Sequence, residues 1–325
     1  NNWTTEIFSK YVNKIKKNSK IFLCRDHGGP WQNNNEINYN YSLKKTMKSA
    51  KESFKTDIDN NFKVLHIDTS IEINKKKVDF KKSIERLFEL YEYCYYYSKK
   101  KKKEILFEVG TEEQSGSTST FEELENTLNE IKKGCQKYKL PFPNFIVIQS
   151  GTKVMERRNI GSFESHIRVS RELPVEIQLI KNLEICKKYN IYMKEHNADY
   201  LNEDSIKLHP FLGIHAANVA PEFGVTETIT FLKILENEKL NKFKEEFIDI
   251  AYKSNKWKKW VIKENELSKK EKAIICGHYI FSDQRVLDIK EEVKFLLNKK
   301  RIILDEYLKN SIKKSIKRYL TGFGH

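Results

Sequence analysis

Short apolar runs that end in polar residues recur along this chain. Ile21-Phe22-Leu23-Cys24 leads into Arg25-Asp26-His27-Gly28-Gly29-Pro30, and Phe62-Lys63-Val64-Leu65 leads into His66-Ile67-Asp68-Thr69-Ser70. Ile105-Leu106-Phe107 leads into Glu108-Val109-Gly110-Thr111-Glu112-Glu113, and Phe145-Ile146-Val147-Ile148 into Gln149-Ser150-Gly151-Thr152-Lys153. Ile191-Tyr192-Met193 opens onto Lys194-Glu195-His196-Asn197-Ala198-Asp199-Tyr200, and a sixth run is Gly213-Ile214-His215-Ala216-Ala217-Asn218-Val219. Runs of this kind, bounded by turn residues, suit strands buried on both faces of a parallel sheet.

Helix-period segments lie between them. Residues 79–97 place Phe80, Ile84, Leu87, Phe88, Tyr91 and Cys94 on one stripe, and residues 121–138 carry Leu124, Leu128, Ile131 and Cys135 at helical spacing. Thr120 and Glu123 have the spacing of a capping box and predict a helix start. Residues 173–189 combine a helix start with an apolar face. This alternation over residues 21–235 predicts an α/β fold with a parallel sheet, and a (β/α)₈ barrel is its leading form, with two strands extrapolated. The expected division is a barrel over residues 1–238 and a mainly helical extension over 239–325. The extension can cap the barrel, close over a ligand or make a subunit contact.

In such a barrel, active-site groups sit on the loops after the strands. Asp26, His27, His66, Asp68, Glu108, Gln149, His196 and His215 all fall at or near such ends. Asp26 suits proton transfer, while His27 and His196 suit metal ligation or acid–base work. Glu108 lies inside an apolar strand, where its carboxylate needs a metal or a neighbouring lysine. Glu112 is either a second acid or base, or a solvated loop carboxylate. His66 and Asp68 alternate along one strand and share a face, either as ligands or as groups that orient ligands. His215 is a ligand or a satisfied polar group inside its strand. Imidazoles with carboxylates suit zinc, manganese or cobalt, and such an ion polarises a carbonyl and stabilises an enediolate.

Composition narrows the classes. The 325 residues are 39% hydrophobic and 12% aromatic, which is globular, and no apolar stretch nears the roughly 18 residues of a membrane span. No secretory apolar region is expected near the start. Five cysteines without a Cys-x-x-Cys pair fit a reduced, cytoplasmic protein. The formal charge of +15 invites a nucleic-acid reading, but the lysines scatter over helix faces and no nucleic-acid motif appears. The same charge attracts anionic substrates.

Several motifs together resemble the family of the non-catalytic (GatZ/KbaZ-type) subunit of tagatose-1,6-bisphosphate aldolase, itself related to class II zinc-dependent ketose-bisphosphate aldolases. They are Asp26-His27-x-Gly29-Pro30, His66-Ile67-Asp68-Thr69-Ser70, Gly110-Thr111-Glu112, Gln149-x-Gly151, His196-x-x-Asp199-Tyr200, Val219-x-Pro221 and Tyr279-Ile280-Phe281-Ser282-Asp283. The resemblance implies a barrel and sugar chemistry, with Asp26 as proton shuttle and His27 and His196 as zinc ligands. The remaining aldolase histidine falls near Val154, so Gln149, Glu108 or His66 would substitute for it. The aldolases' Gly-Ala-Ser phosphate loop is Asn197-Ala198-Asp199 here, where a carboxylate repels phosphate unless Lys153, Arg157 or Arg158 offsets it. Lys153, Arg157, Asn197, Asp199 and Asn218 are the expected substrate-binding positions.

Two readings follow. One is a metal-dependent aldolase or epimerase acting on a ketose, sugar acid or sugar phosphate. The other is a non-catalytic stabilising subunit that partners a class II aldolase. An oligomer is expected under both.

Overall fold

The computed structural model describes residues 3–16, 21–73, 78–110, 120–161 and 175–325. All six expected runs contribute strands: β1 (Cys24–Gly28), β2 (Val64–Asp68), β3 (Leu106–Gly110), β4 (Phe145–Ile148), then β7 (Tyr192–Glu195) and β8 (Ala216–Ala217). Between β4 and β7 a small antiparallel hairpin forms from β5 (Val154–Met155) and β6 (Arg158–Asn159). The main sheet is parallel throughout, in the order β1-β2-β3-β4-β7-β8.

Alternation along each strand divides the sheet's two faces. Leu65, Ile67, Phe107, Val109, Ile146, Ile148 and Met193 join one buried core with Phe54, Leu87, Tyr91, Leu128 and Leu179 from the covering helices. Burying a side chain of this size contributes about 1.5–3 kcal/mol. Those helices include Leu43–Asp59, Phe80–Lys100, Phe121–Tyr138 and Val175–Tyr189. Phe121–Tyr138 starts with the expected capping box, in which Thr120 accepts from the Glu123 amide and Glu123 accepts from the Thr120 amide.

The barrel is a half-barrel: among the described residues the ladder holds six strands, not eight, with β1 and β8 at its edges. A side-chain bond links those edges, because Asn218, just after β8, donates to Asp26 of β1 at 2.9 Å. From Pro221 onward the regular structure is helical, and Pro221–Asn237 shares a second core with the C-terminal helices through Phe231, Leu235, Phe247, Trp257, Val286 and Val293. The terminal helix, Leu304–Gly322, packs back through Tyr319 onto Ala198, Leu201 and Ile206 near the end of β7.

Candidate metal centre

β1 and β2 fall out of step between Arg25 and Gly28: Arg25 pairs with Leu65, and Gly28 already pairs with Ile67. Two residues, Asp26 and His27, therefore oppose the single residue His66. A bulge of this kind re-aims side chains, and it brings two consecutive residues of β1 to one site. His27 takes a φ of 47°, a left-handed backbone that histidine tolerates better than most residues. Gly29, two residues on, is needed for space, since a Cβ there would fall 1.8 Å from the Asp68 carbonyl oxygen.

His66 and Asp68 are buried on the polar face of β2 while Leu65 and Ile67 enter the core. The His66 ring fits because Gly110, two residues beyond its ladder partner Glu108 on β3, has no side chain; a Cβ there would lie 2.7 Å from His66 Nε2. The His66 Nδ1 accepts from the His27 amide at 3.3 Å and stands 3.3 Å from Glu108 Oε1 and 3.8 Å from Asp26 Oδ1. His196, just past β7, places its Nε2 4.0 Å from Asp26 Oδ1. The rings of His27, His66 and His196 lie 4.7–5.3 Å apart.

Two sets of donor atoms result, each within 4.8 Å of one another: Asp26, His66, Glu108 and His196, and next to it His27, His66 and Asp68. A divalent ion fits the first set by two observations. The Nε2 atom of His196 is buried without a hydrogen-bond partner, which is costly for a polar atom. Burial, aided by the charges of His66 and His27, lowers the His196 pKa to about 3, so the ring is a neutral donor at ordinary pH.

Around this set the charges are ordered. Burial raises the Asp26 carboxyl, but the His66 imidazole beside it and the charges of His27, Lys194 and His196 outweigh that and hold it well below the usual carboxylate range. Burial lowers His27, but the 2.5 Å bond from its Nδ1 to Asp68 and the two aspartate charges raise it overall. Burial likewise opposes ionisation of Asp68, yet the bond to His27 and the charge of His66 bring it down to about 2. His27 and Asp68 thus form a charged pair that braces the first set. Glu108 meets Lys194, whose Nζ lies 2.7 and 2.8 Å from its two oxygens.

The expected residues are distributed unevenly over this geometry. Asp26, His27, His66, Asp68, Glu108, His196 and Asn218 converge. Gln149 follows β4 directly. Val154, where the resemblance places a further histidine, is buried in β5, and His66 supplies a third imidazole instead. Glu112 lies outside the described residues.

The remaining expected residues occupy other settings. His215 sits at the start of β8 rather than past its end, where its Nδ1 accepts from the Met193 amide and its ring leans on Tyr192. The expected substrate binder Asp199 is turned inward, its Oδ1 accepting from the Ala220 and Glu222 amides at the first turn of the helix Pro221–Asn237. Arg157 is exposed between the strands of the hairpin. Lys153 is half-buried after β4, its amide donating to Asn159, and Asn197 holds a left-handed turn with its carbonyl bound by the same Asn159. Lys194 is the partner of Glu108, and only the requirement that a buried carboxylate find a cation points to such a residue.

No family model matches the sequence, and no curated protein does. Solved structures do match. A probable tagatose 6 phosphate kinase from Sinorhizobium meliloti 1021 aligns at a TM-score of 0.77 with 15% identity, over 98% of this chain and 88% of its own. Fructuronate-tagaturonate epimerase UxaE from Cohnella laeviribosi aligns at 0.57 with 10% identity, over 97% of this chain and 70% of its own. This chain has their fold.

Proposed function

We propose that this protein is a divalent-metal-dependent enzyme that acts on a ketose, a sugar acid or a sugar phosphate by an enediolate or retro-aldol step, as an aldolase or an epimerase. The observation that carries the reading is the convergence of Asp26, His66, Glu108 and His196 from four strands, with the buried His196 Nε2 lacking a partner. His66, His196 and Glu108 would hold the ion, with Asp26 at its open side and zinc, manganese or cobalt suited to the donors. Bound there, the ion would polarise a substrate carbonyl and favour enediolate character.

The remaining chemistry belongs to side chains. Asp26 is ionised and more than half exposed, so a substrate can reach it. Asn218 holds Oδ1, which leaves Oδ2 to take a proton, from a hydroxyl in retro-aldol cleavage or from the carbon beside a carbonyl in epimerisation. The His27–Asp68 pair keeps the His27 ring fixed beside it. The fold shared with an epimerase is consistent with this reading.

Elemental analysis tests it directly. Near-stoichiometric divalent metal is expected in the wild type, with loss in His66→Ala and in His196→Ala. Absence of metal, with no thermal stabilisation by zinc, manganese or cobalt, would overturn the reading. One observation favours the alternative of a non-catalytic aldolase partner: Lys194 already neutralises Glu108, as an ion pair replacing a metal would.

A further inference from the structure

A second polar recess adjoins the donor sets. It lies between β1 and the helix Leu43–Asp59, has a volume of about 260 Å³, and is walled in part by Arg25, His27, Gln32, Glu36, Ser49 and Ser53. Its cations are already matched. The Arg25 guanidinium binds Asp57 through two bonds of 2.5 and 2.6 Å and Ser53 through a third of 3.1 Å. The Glu36 carboxylate accepts from the Trp31 amide and the Thr46 hydroxyl, and His27 Nδ1 is held by Asp68.

Neutral groups remain to face a ligand. Gln32 walls the recess, and its Nε2 is sealed from water without a hydrogen-bond partner, so a turn of the side chain would present it to a ligand. Ser53 accepts from Arg25 and keeps its own proton to donate, and the Ser49 hydroxyl is exposed beside it. An anion here would confront Glu36 with no unmatched cation on these walls, whereas hydroxyl groups both donate and accept. The volume has room for roughly eight water-sized groups, enough for a short polyol.

We infer that this recess binds a neutral polyhydroxylated chain, the non-reacting end of a sugar or polyol. The inference deepens the sugar reading above and rests on it for the ligand class, but not on the metal. His27 connects the two regions, because it walls the recess and its ring lies 4.7 Å from that of His196. A substrate whose hydroxylated tail fills the recess would present its reacting end across His27 to Asp26.

The test is an NMR titration of metal-free protein with sorbitol and, separately, with sorbitol 6-phosphate, following the His27 imidazole signals. Sorbitol is expected to move them saturably, and Gln32→Leu to raise Kd about tenfold, with a smaller rise in Ser53→Ala. Should Gln32→Leu fail to fold, Ser53→Ala, on an exposed helix surface, carries the comparison alone. No saturable shift, a Kd that neither variant changes, or binding of the 6-phosphate about tenfold tighter than that of sorbitol would overturn the inference. Metal content measured on the same samples separates the readings: sorbitol binding by a protein that takes up no metal keeps the recess and removes the metal mechanism.

Discussion

Lys194 sets its ammonium against both oxygens of Glu108, and that carboxylate is almost wholly sealed from water. Removing one partner of a buried ion pair leaves an uncompensated charge and typically costs about 3–5 kcal/mol. Lys194→Met should therefore destabilise the metal-free protein by about that amount in urea denaturation. If Glu108 is a metal ligand, adding zinc should recover more stability in this variant than in the wild type; equal recovery would remove Glu108 from the ligand set. Asp26 offers the complementary experiment, because its exposed side chain can change without disturbing the core. Asp26→Asn is expected to stay folded by circular dichroism while lowering kcat by about 10²–10⁴-fold. A scaffold would show no activity to lose. The acids and imidazoles of the site were legible as polar residues ending apolar runs. The Lys194 pairing was not, because a lysine inside a strand shows its partner only when strands are placed side by side.

The loop from His196 to Leu201 illustrates control at the level of elements. Its carbonyls are bound from three directions: Thr152 holds that of His196, Asn159 those of Asn197 and Asp199, Tyr319 that of Ala198 and Arg318 that of Leu201. Glu222 ties the parts together, accepting from the Tyr200 amide, Ser315, Arg318 and Tyr319. The terminal helix, more than a hundred residues away in sequence, thus braces the loop that carries His196. Tyr319→Phe keeps the ring and removes the hydroxyl, so a loss of about 1–3 kcal/mol is expected in urea denaturation, with weaker metal binding by calorimetry. Unchanged metal affinity despite the stability loss would limit this helix to a structural part. Among the elements, the six strands and the capped helix Phe121–Tyr138 were readable from periodicity and end signals. The helix Leu43–Asp59 is not among the expected elements, although Ser42 caps it and Met47, Ala50, Phe54 and Ile58 repeat at helical spacing. The bulge in β1 was also unreadable, since register depends on a partner strand.

At the scale of the molecule, the half-barrel joins its core to that of the C-terminal helices through a buried acidic junction. Burial, with the nearby charge of Glu222 adding to it, raises Asp199 from an ordinary 3.8 to about 6 despite its amide bonds. Between these values the unfolded chain has released its proton while the folded chain still holds it. Stability from this group therefore falls as pH rises from about 4 to about 6, by about 3 kcal/mol in all. Asp199→Asn keeps an oxygen for the Ala220 and Glu222 amides but cannot titrate. Urea denaturation at several pH values should show the variant gaining on the wild type across that window, and parallel curves would place the Asp199 titration elsewhere. Among the described residues no helix is long and apolar enough to cross a membrane.

The order of strands and helices, and the polar residues delivered at strand ends, follow from the sequence alone, because hydrophobic period and capping are local properties of the chain. Which of those residues meet is decided only in three dimensions. The extra residue in β1 swings Asp26 and His27 together, Gly110 makes room for His66, and Lys194 finds Glu108 two strands away. Asp199 and His215 carry chemistry suited to a site, yet amides of neighbouring elements take up their polar atoms. The number of strands is likewise a tertiary outcome. Beyond β8 the apolar residues recur at helical spacing and bury one another in a second core, leaving the sheet open at the edge where the polar recess lies.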